Sequence, residues 1–313
     1  MRLALVAVVV LALAGPAAAA PEPQGFWGGE YTTATGETVR VFSSPTYSVE
    51  QGRNQHWADF LGSLLHGPEL ASVSLYLAPP AEVGRLCGGN PDVRGCYTAP
   101  GRIIALGDDA PDMTAASAVT HEYGHHVAAS RSNAPWPALE WGPKRWATYL
   151  DVCRQARAHE LWPGAEGPLL YQFNPGEGFA EAYRVLNQRR LGIPEPPWDV
   201  VDALFSPNAR ALALIEQDVV HPWTANTTAT IGGRFGPGGK SVRSIKVATP
   251  LDGALSATVR GTPRLRLEAR TGKRRLDRGG TNVAVTVCGF RTVTFRVTRL
   301  SGAGAFTLTV SRP

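Results

Sequence analysis

The alternation of polar and apolar positions changes character about two-thirds of the way along the chain. Upstream, Glu37-Thr-Val-Arg-Val-Phe42 and Ser72-Val-Ser-Leu-Tyr-Leu77 alternate and predict strands. Gly101-Arg-Ile-Ile-Ala-Leu106 is a short apolar run that predicts a third. Trp57, Phe60, Leu61, Leu64 and Leu65 fall at helical spacing between Gln55 and Leu65. A second helix is predicted from about Met113 to Ser130, with Asp112 as its N-cap, since a short acceptor side chain there satisfies free N–H groups. Pro143 opens a helix to about His159, Asn174-Pro-Gly-Glu177 opens one to about Leu191, and Ser206-Pro207 begins a last one that ends near Val220. From about Ile231 the texture turns to short Val/Thr/Leu/Arg runs cut by glycines: 242–248, 254–259, 265–269, 283–287, 292–297 and 305–310. Strands at that spacing predict a small β-sandwich, with Gly232–Gly239 as the linker. The expectation is therefore an α+β domain over residues 21–230, followed by an all-β sandwich domain over 231–313.

The first 20 residues add a compartment. Met1-Arg2, an apolar run from Leu3 to Ala14, Gly15-Pro16 and a string of alanines have the form of a secretory signal peptide. The run is short of the roughly 20 residues a membrane span needs, so the mature chain is expected to be secreted, extracellular and without a span. Residues 21–55 could be a pro-piece or the first strands of the domain that follows. Four cysteines in an exported chain favour two disulfides over metal thiolates. Cys87 and Cys96 bracket a turn-rich segment and form the natural local pair, which leaves Cys153 with Cys288.

Charge divides the chain in the same place. The net charge is +5, but from His221 onward 16 Lys/Arg stand against 3 Asp/Glu, leaving 15 against 23 upstream. Such asymmetry points to two modules and an anionic partner for the second, such as a cell-surface polymer. No motif specific for nucleic acid is present.

The chemistry is concentrated in His121-Glu122-Tyr123-Gly124-His125-His126. On a helix, residues four apart share a face, with Cβ atoms roughly 6 Å apart. His121 and His125 could therefore both reach one Zn²⁺, leaving Glu122 as general base toward a water that the metal activates. A catalytic zinc needs a third protein ligand and an open position. The metzincin extension requires Gly at 128 and His at 131, where this chain has Ala128 and Arg131, so the third ligand must be a carboxylate from a later helix.

Glu177-Gly-Phe-Ala-Glu181 offers one, and here the chain resembles the gluzincin metallopeptidases. Glu-Gly-Phe-Ala is similar to the segment that carries the third ligand in the M1 aminopeptidases, which implies Glu177 as ligand. In the wider clan an acidic residue four positions on hydrogen-bonds the first histidine, a place that Glu181 fits. The run from the cysteine-bracketed turn through His-Glu-x-Gly-His-His-Val is also similar to bacterial neutral zinc metallopeptidases. The resemblance implies a zincin-like fold and a zinc-dependent peptidase; the aminopeptidase motif for a free amine (Gly-x-Met-x-Asn) is absent, so exopeptidase action is not implied, and the favoured reading is an endopeptidase. It also implies an oxyanion donor, often Tyr or His, for which Tyr171 and Tyr183 are both candidates. About fifty residues separate His125 from Glu177, longer than the clan's commonest spacing. The tail from Thr292 to Pro313 resembles bacterial pre-peptidase C-terminal domains, which are β-sandwiches appended to secreted proteases.

Other roles compete for these residues. Asn174-Pro-Gly-Glu177 is also a capping box, and Glu181 could be a solvated partner of Arg184. His126 points elsewhere on its helix and is read as packing or surface. Trp136 and Trp141 could line a substrate cleft. Two functions from different classes are thus on the table: a peptidase acting on a protein or peptide substrate, and a non-catalytic adhesion protein in which the basic sandwich binds an anionic surface.

Overall fold

The computed structural model describes residues 23–50, 52–167, 169–194, 198 and 201–313, so the signal peptide expected over 1–20 lies outside the described residues. The first part of the chain builds a five-stranded sheet from β1 (Trp27–Thr32), β2 (Thr38–Ser43), β3 (Ser74–Ala78), β4 (Gly95–Thr98) and β5 (Arg102–Leu106), in the order β1-β2-β3-β5-β4. β2, β3 and β5 run parallel, while β1 and β4 pair antiparallel at the two edges. Helix α1 (Arg53–Ser63) buries Trp57, Ala58 and Leu61, and α2 (Pro80–Leu86) links β3 to β4. β3 is buried at every position, as a central strand covered on both faces must be. Within residues 21–55 the structure has β1 and β2, and Val39 and Val41 of β2 lie in the same core as Leu75 and Ile103.

Helix α3 (Ala115–Ala129) follows β5 and carries the His-Glu-x-x-His stretch. Its N-cap is Thr114, whose side chain accepts from the Ser117 N–H, and not Asp112. The Asp112 carboxylate is taken instead by Arg94 at 2.8 Å. A two-residue hairpin follows, β6 (Ser132–Asn133) with β7 (Trp136–Pro137), and then α4 (Ala138–Trp141). The single helix expected from 143 to 159 is two, α5 (Lys144–Tyr149) and α6 (Val152–Arg157), because Asp151 adopts a left-handed conformation at φ 56°. Helix α7 (Pro175–Leu191) starts at an Asn174 cap and stops at Gly192, which takes the left-handed conformation that glycine accepts without strain. Helix α8 (Ala209–Val220) is capped by Asn208. α3 and α7 cross closely, and a Cβ on Gly124 would fall 2.9 Å from the Ala180 Cα. No helix among the described residues is long and apolar enough to cross a membrane.

The last part is a second α-free layer pair with its own core. Strands β8 (Thr227–Phe235), β9 (Val242–Ala248), β10 (Gly253–Gly261), β11 (Arg264–Thr271), β12 (Arg274–Arg278), β13 (Asn282–Val287), β14 (Thr292–Ser301) and β15 (Gly304–Arg312) form two antiparallel sheets. Their orders are β13-β10-β15-β8 and β12-β11-β14-β9. Inward residues such as Leu255, Val259, Leu267, Phe295 and Leu308 fill the space between them, giving a sandwich-like arrangement. The linker expected at Gly232–Gly239 is half strand: residues 232–235 belong to β8, and Gly233 is needed where the Phe306 ring crosses it. The connection between the two parts is the stretch 221–226.

Both disulfides pair as expected, Cys87–Cys96 and Cys153–Cys288. The second ties α6 to the sandwich beside a polar junction. There Lys144 Nζ donates to the carbonyls of Ala134 (2.7 Å) and Asp252 (3.0 Å). The Asp252 carboxylate in turn accepts from Arg291 (2.6 Å) and the Gly289 N–H.

Candidate metal centre

α3 presents His121 and His125 one turn apart, and the first turn of α7 brings Glu177 to meet them. Glu177 Oε2 lies 3.2 Å from both His121 Nε2 and His125 Nε2. One donor atom from each of the three residues lies within 4.8 Å of the others. Among the described residues this is the His/Cys/Asp/Glu group that could hold an ion. Glu177 does not close a capping box. Asn174 caps α7 by accepting from the Gly176 N–H at 3.0 Å, which leaves the Glu177 carboxylate free to face the imidazoles.

Glu181, one turn further along α7, fixes the tautomer of His121. Its Oε2 accepts from His121 Nδ1 at 3.0 Å, which keeps a proton on Nδ1 and turns Nε2 toward the shared centre. Glu181 is held in turn by Arg184, whose Nε donates to the same oxygen at 2.9 Å and whose other fork nitrogen reaches Oε1. Arg184 also bonds Gln188, and Gln188 Nε2 donates to Ser117 Oγ at 2.8 Å, beside the Thr114 cap of α3. The solvated Glu181–Arg184 pair foreseen as an alternative exists, but it is buried and continues into the site.

Three carboxylates, Glu122, Glu177 and Glu181, surround two imidazoles here, and the local electrostatics call for positive charge. Burial alone would lower the His121 imidazole, but its bonds to Glu177 and Glu181 overcome this and push it up to about 10. Burial likewise opposes ionisation of Glu177, and the facing His125 and His121 hold it well below the usual carboxylate range. Glu181 settles at about 2, burial being outweighed by its bonds to His121 and Arg184. Glu122 goes the other way, raised chiefly by burial.

Around this cluster the two tyrosine candidates separate. Tyr171 stands on a short 3₁₀ turn (Tyr171–Phe173) before α7 and donates to Glu177 Oε2 at 2.6 Å. Tyr183 is outside the site: buried between helices, it donates to the Leu65 carbonyl. Its place in the sequence, two residues past Glu181, turns it to the opposite side of α7. His126 is buried, with Nε2 on the Glu69 carbonyl at 2.9 Å, and is packing, not ligand.

The strand that borders the site is β4. The strand directly before the His-Glu-x-x-His helix, β5, is not the sheet edge, because β4 covers it. The register Cys96↔Ile104, with Leu106 N–H bonded to the Arg94 carbonyl, turns the backbone groups of Arg94 and Cys96 inward. Alternation then turns those of Gly95 and Tyr97 outward. Gly95 lies flat on the general-base candidate, since a Cβ there would fall 2.7 Å from Glu122 Cγ. The Tyr97 ring stacks on His125, with centroids 6.4 Å apart and planes at 19°. The Cys87–Cys96 disulfide pins this strand to the end of α2. Gly95 and Tyr97 escaped the sequence reading; their signal was the cysteine between them, which marks a constrained strand. Beyond β4 and α3, Ala99, Ala129 and the loop through Trp136 and Leu139 line an open hollow of about 440 Å³. Trp136 borders it, and stacks on Trp141 at 5.0 Å.

No protein-family model matches the sequence, and no curated protein matches it significantly. Among solved structures, a periplasmic inhibitor of g-type lysozyme (PliG) from Aeromonas hydrophila aligns over 28% of this chain and 86% of its own, at 13% identity and a TM-score of 0.23. A de novo designed double-stranded β-helix aligns over 27% of this chain and 96% of its own, at 14% identity and a TM-score of 0.19. Similarities this slight carry no argument about fold or function.

Proposed function

We propose that the protein is a secreted zinc-dependent peptidase with a zincin-like catalytic domain, hydrolysing internal peptide bonds of proteins. One observation carries the reading: two imidazole Nε2 atoms and a carboxylate from α3 and α7 converge on one point, with Glu122 beside them. Two imidazoles, which a bound ion would hold neutral, and one carboxylate, with the His121 Nδ1 proton held by an outer carboxylate, are a donor set suited to catalytic zinc. His121, His125 and Glu177 would hold the ion, and zinc bound there supplies Lewis acidity that polarises a carbonyl and brings a water toward a pKa of about 7.

The chain's own residues account for the remaining work. Glu122, buried and with its acidity weakened, takes a proton from the attacking water and delivers it to the leaving amine. Glu181 keeps the His121 proton on Nδ1, and Arg184 keeps Glu181 ionised. The Tyr171 hydroxyl, already beside Glu177, is the donor for the developing oxyanion. The outward backbone groups of Gly95 and Tyr97 offer hydrogen bonds to an extended peptide laid along β4. Against an adhesion protein with a decayed active site stands Glu122, present beside both histidines and Glu177 and seated under Gly95.

The test is zinc content and casein hydrolysis of the parent beside Glu177→Ala. One zinc per parent chain, lost together with activity in the variant, is expected. Full zinc retention in Glu177→Ala would move the ligand elsewhere, and a parent without zinc would end the peptidase reading.

A further inference from the structure

The positive charge of the sandwich is concentrated on one of its two faces. In β11 and β14, Leu265, Leu267, Ala269, Val293, Phe295 and Val297 point into the core, so the residues between them point out. Cross-strand register then places Arg270 beside Thr294 and Lys246, with Arg275 on the other side of Arg270. The next row sets Glu268 between Arg296 and Arg278, and Arg266 lies beside Thr298 in the row beyond. Six cations, Lys246, Arg266, Arg270, Arg275, Arg278 and Arg296, thus share a sheet face with a single carboxylate, Glu268. Arg270 bonds that carboxylate at 2.9 Å, and Arg296 stands 4.0 Å from it.

The outer face of the other sheet is different. Its outward positions on β10 and β15 are Ser256, Thr258, Arg260, Thr307 and Thr309, and β8 adds Thr230 and Arg234. Two cations there stand against six on the first face. Keeping a domain soluble requires no such polarisation. Among the described residues, the hydrogen bonds and the disulfide that join the sandwich to the rest of the chain come from strand ends and loops, at Asp252, Arg291 and Cys288, and not from the basic face.

We propose that the outer face of β12-β11-β14-β9 binds a linear anionic glycan, carrying uronate or sulfate groups. The face is flat, with cationic rows about 7 Å apart along each strand and strands about 4.8 Å apart. That grid suits a flexible chain with charges at sugar-length intervals. Arginine forks pair bidentately with carboxylate or sulfate, and Thr294 and Thr298 add hydroxyls for sugar hydroxyls. No aromatic residue points outward on these strands, which disfavours single-stranded nucleic acid, whose bases need stacking platforms. No cluster of exposed aromatic or large apolar side chains accompanies the cations, which disfavours insertion into a lipid surface. The inference is independent of the metal site.

Calorimetric titration of the full chain with polygalacturonate and with heparin at about 50 mM salt tests it, using the triple variant Arg266→Ser/Arg270→Ser/Arg296→Ser. The control Arg234→Ser/Arg260→Ser removes charge from the opposite face. Binding of at least one glycan, weakened tenfold or more in the triple variant and less than twofold in the control, is expected. Equal weakening in both would overturn the assignment to this face, and so would no binding by the parent. Tighter binding of oligo-dT or of phosphatidylglycerol vesicles, lost in the same triple variant, would replace the glycan by that partner. Circular dichroism on each variant separates lost contacts from lost folding, and the single variant Lys246→Ser, at the face's rim, must then weaken binding in the same direction.

Discussion

Gly124→Ala is the sharpest perturbation of the proposed metal centre that leaves every candidate ligand in place. The new Cβ would lie 2.9 Å from Ala180 Cα and 3.1 Å from its carbonyl oxygen, both backbone atoms that cannot rotate away. Carbon atoms rest about 3.5–4.0 Å apart, so α3 and α7 must separate by roughly 0.6–1 Å at the crossing. Overpacking of that size costs about 1–3 kcal/mol, offset by about 1 kcal/mol of helix propensity gained over glycine. Net stability falls by only about 0–2 kcal/mol. The donor set is far less forgiving. Gly124 adjoins His125, Ala180 lies between Glu177 and Glu181, and metal–ligand distances tolerate about 0.2 Å. Zinc affinity should fall roughly 10- to 100-fold, the range seen when support for a ligand shell is removed. Chelator competition measures the affinity, and urea unfolding of the metal-free chain measures the fold. A folded Gly124→Ala variant with parental zinc affinity would refute the claim that this crossing sets the site.

Three further outcomes follow from other parts of the molecule. Tyr171→Phe should lower kcat on a peptide substrate by about 10²-fold, as loss of an oxyanion donor does, with zinc content unchanged; zinc loss would make Tyr171 a support of Glu177 instead. Lys144, 1% exposed, has its ammonium lowered to about 8 by burial, against the attraction of Asp252 and Asp218. The unfolded chain holds that proton up to about 10.5, so stability rises as pH climbs from about 8 to 10.5, by at most about 3 kcal/mol; chemical denaturation of Lys144→Met across that window should lack the rise, and an identical slope would count against it. Finally, Cys153–Cys288 closes 135 residues and Cys87–Cys96 only 9. Loop entropy assigns them about 5 and about 3 kcal/mol, so the paired alanine variants should rank in that order by urea unfolding.

The parts of this molecule that were legible in the sequence are those fixed by local chemistry. Asn174-Pro-Gly with Gly192 delimited α7 because caps and left-handed glycines act over a few residues. The six short Val/Thr/Leu/Arg runs appeared as strands because their inward apolar residues alone announce a two-sided core. What escaped depended on partners distant in sequence. β4 has four residues and no apolar alternation, and is a strand only because β5 pairs with it. β12, Arg274-Arg-Leu-Asp-Arg278, looks like a charged loop until β11 takes up its hydrogen bonds. Thr114 outcompeted Asp112 as a cap because Arg94, 18 residues upstream, claims the aspartate. The Glu181–Arg184–Gln188 spacing is that of an ordinary surface ion pair on a helix. Only the docking of α7 on α3 turns it inward toward His121.

The candidate donor set belongs to two helices that meet at a glycine, and none of the described residues between His125 and Glu177 belongs to it. That interval holds a hairpin, three short helices and the anchor of a disulfide, all outside the crossing. Upstream of Tyr171, insertions and deletions there therefore leave the donor atoms untouched so long as α7 still docks. Lineages can lengthen or rebuild this segment, and with it the surroundings of the cleft, without retuning the ligands. Sequence spacing between the two motifs then drifts freely, and kinship among such sites is better sought in the small residues of the helix crossing than in the distance along the chain.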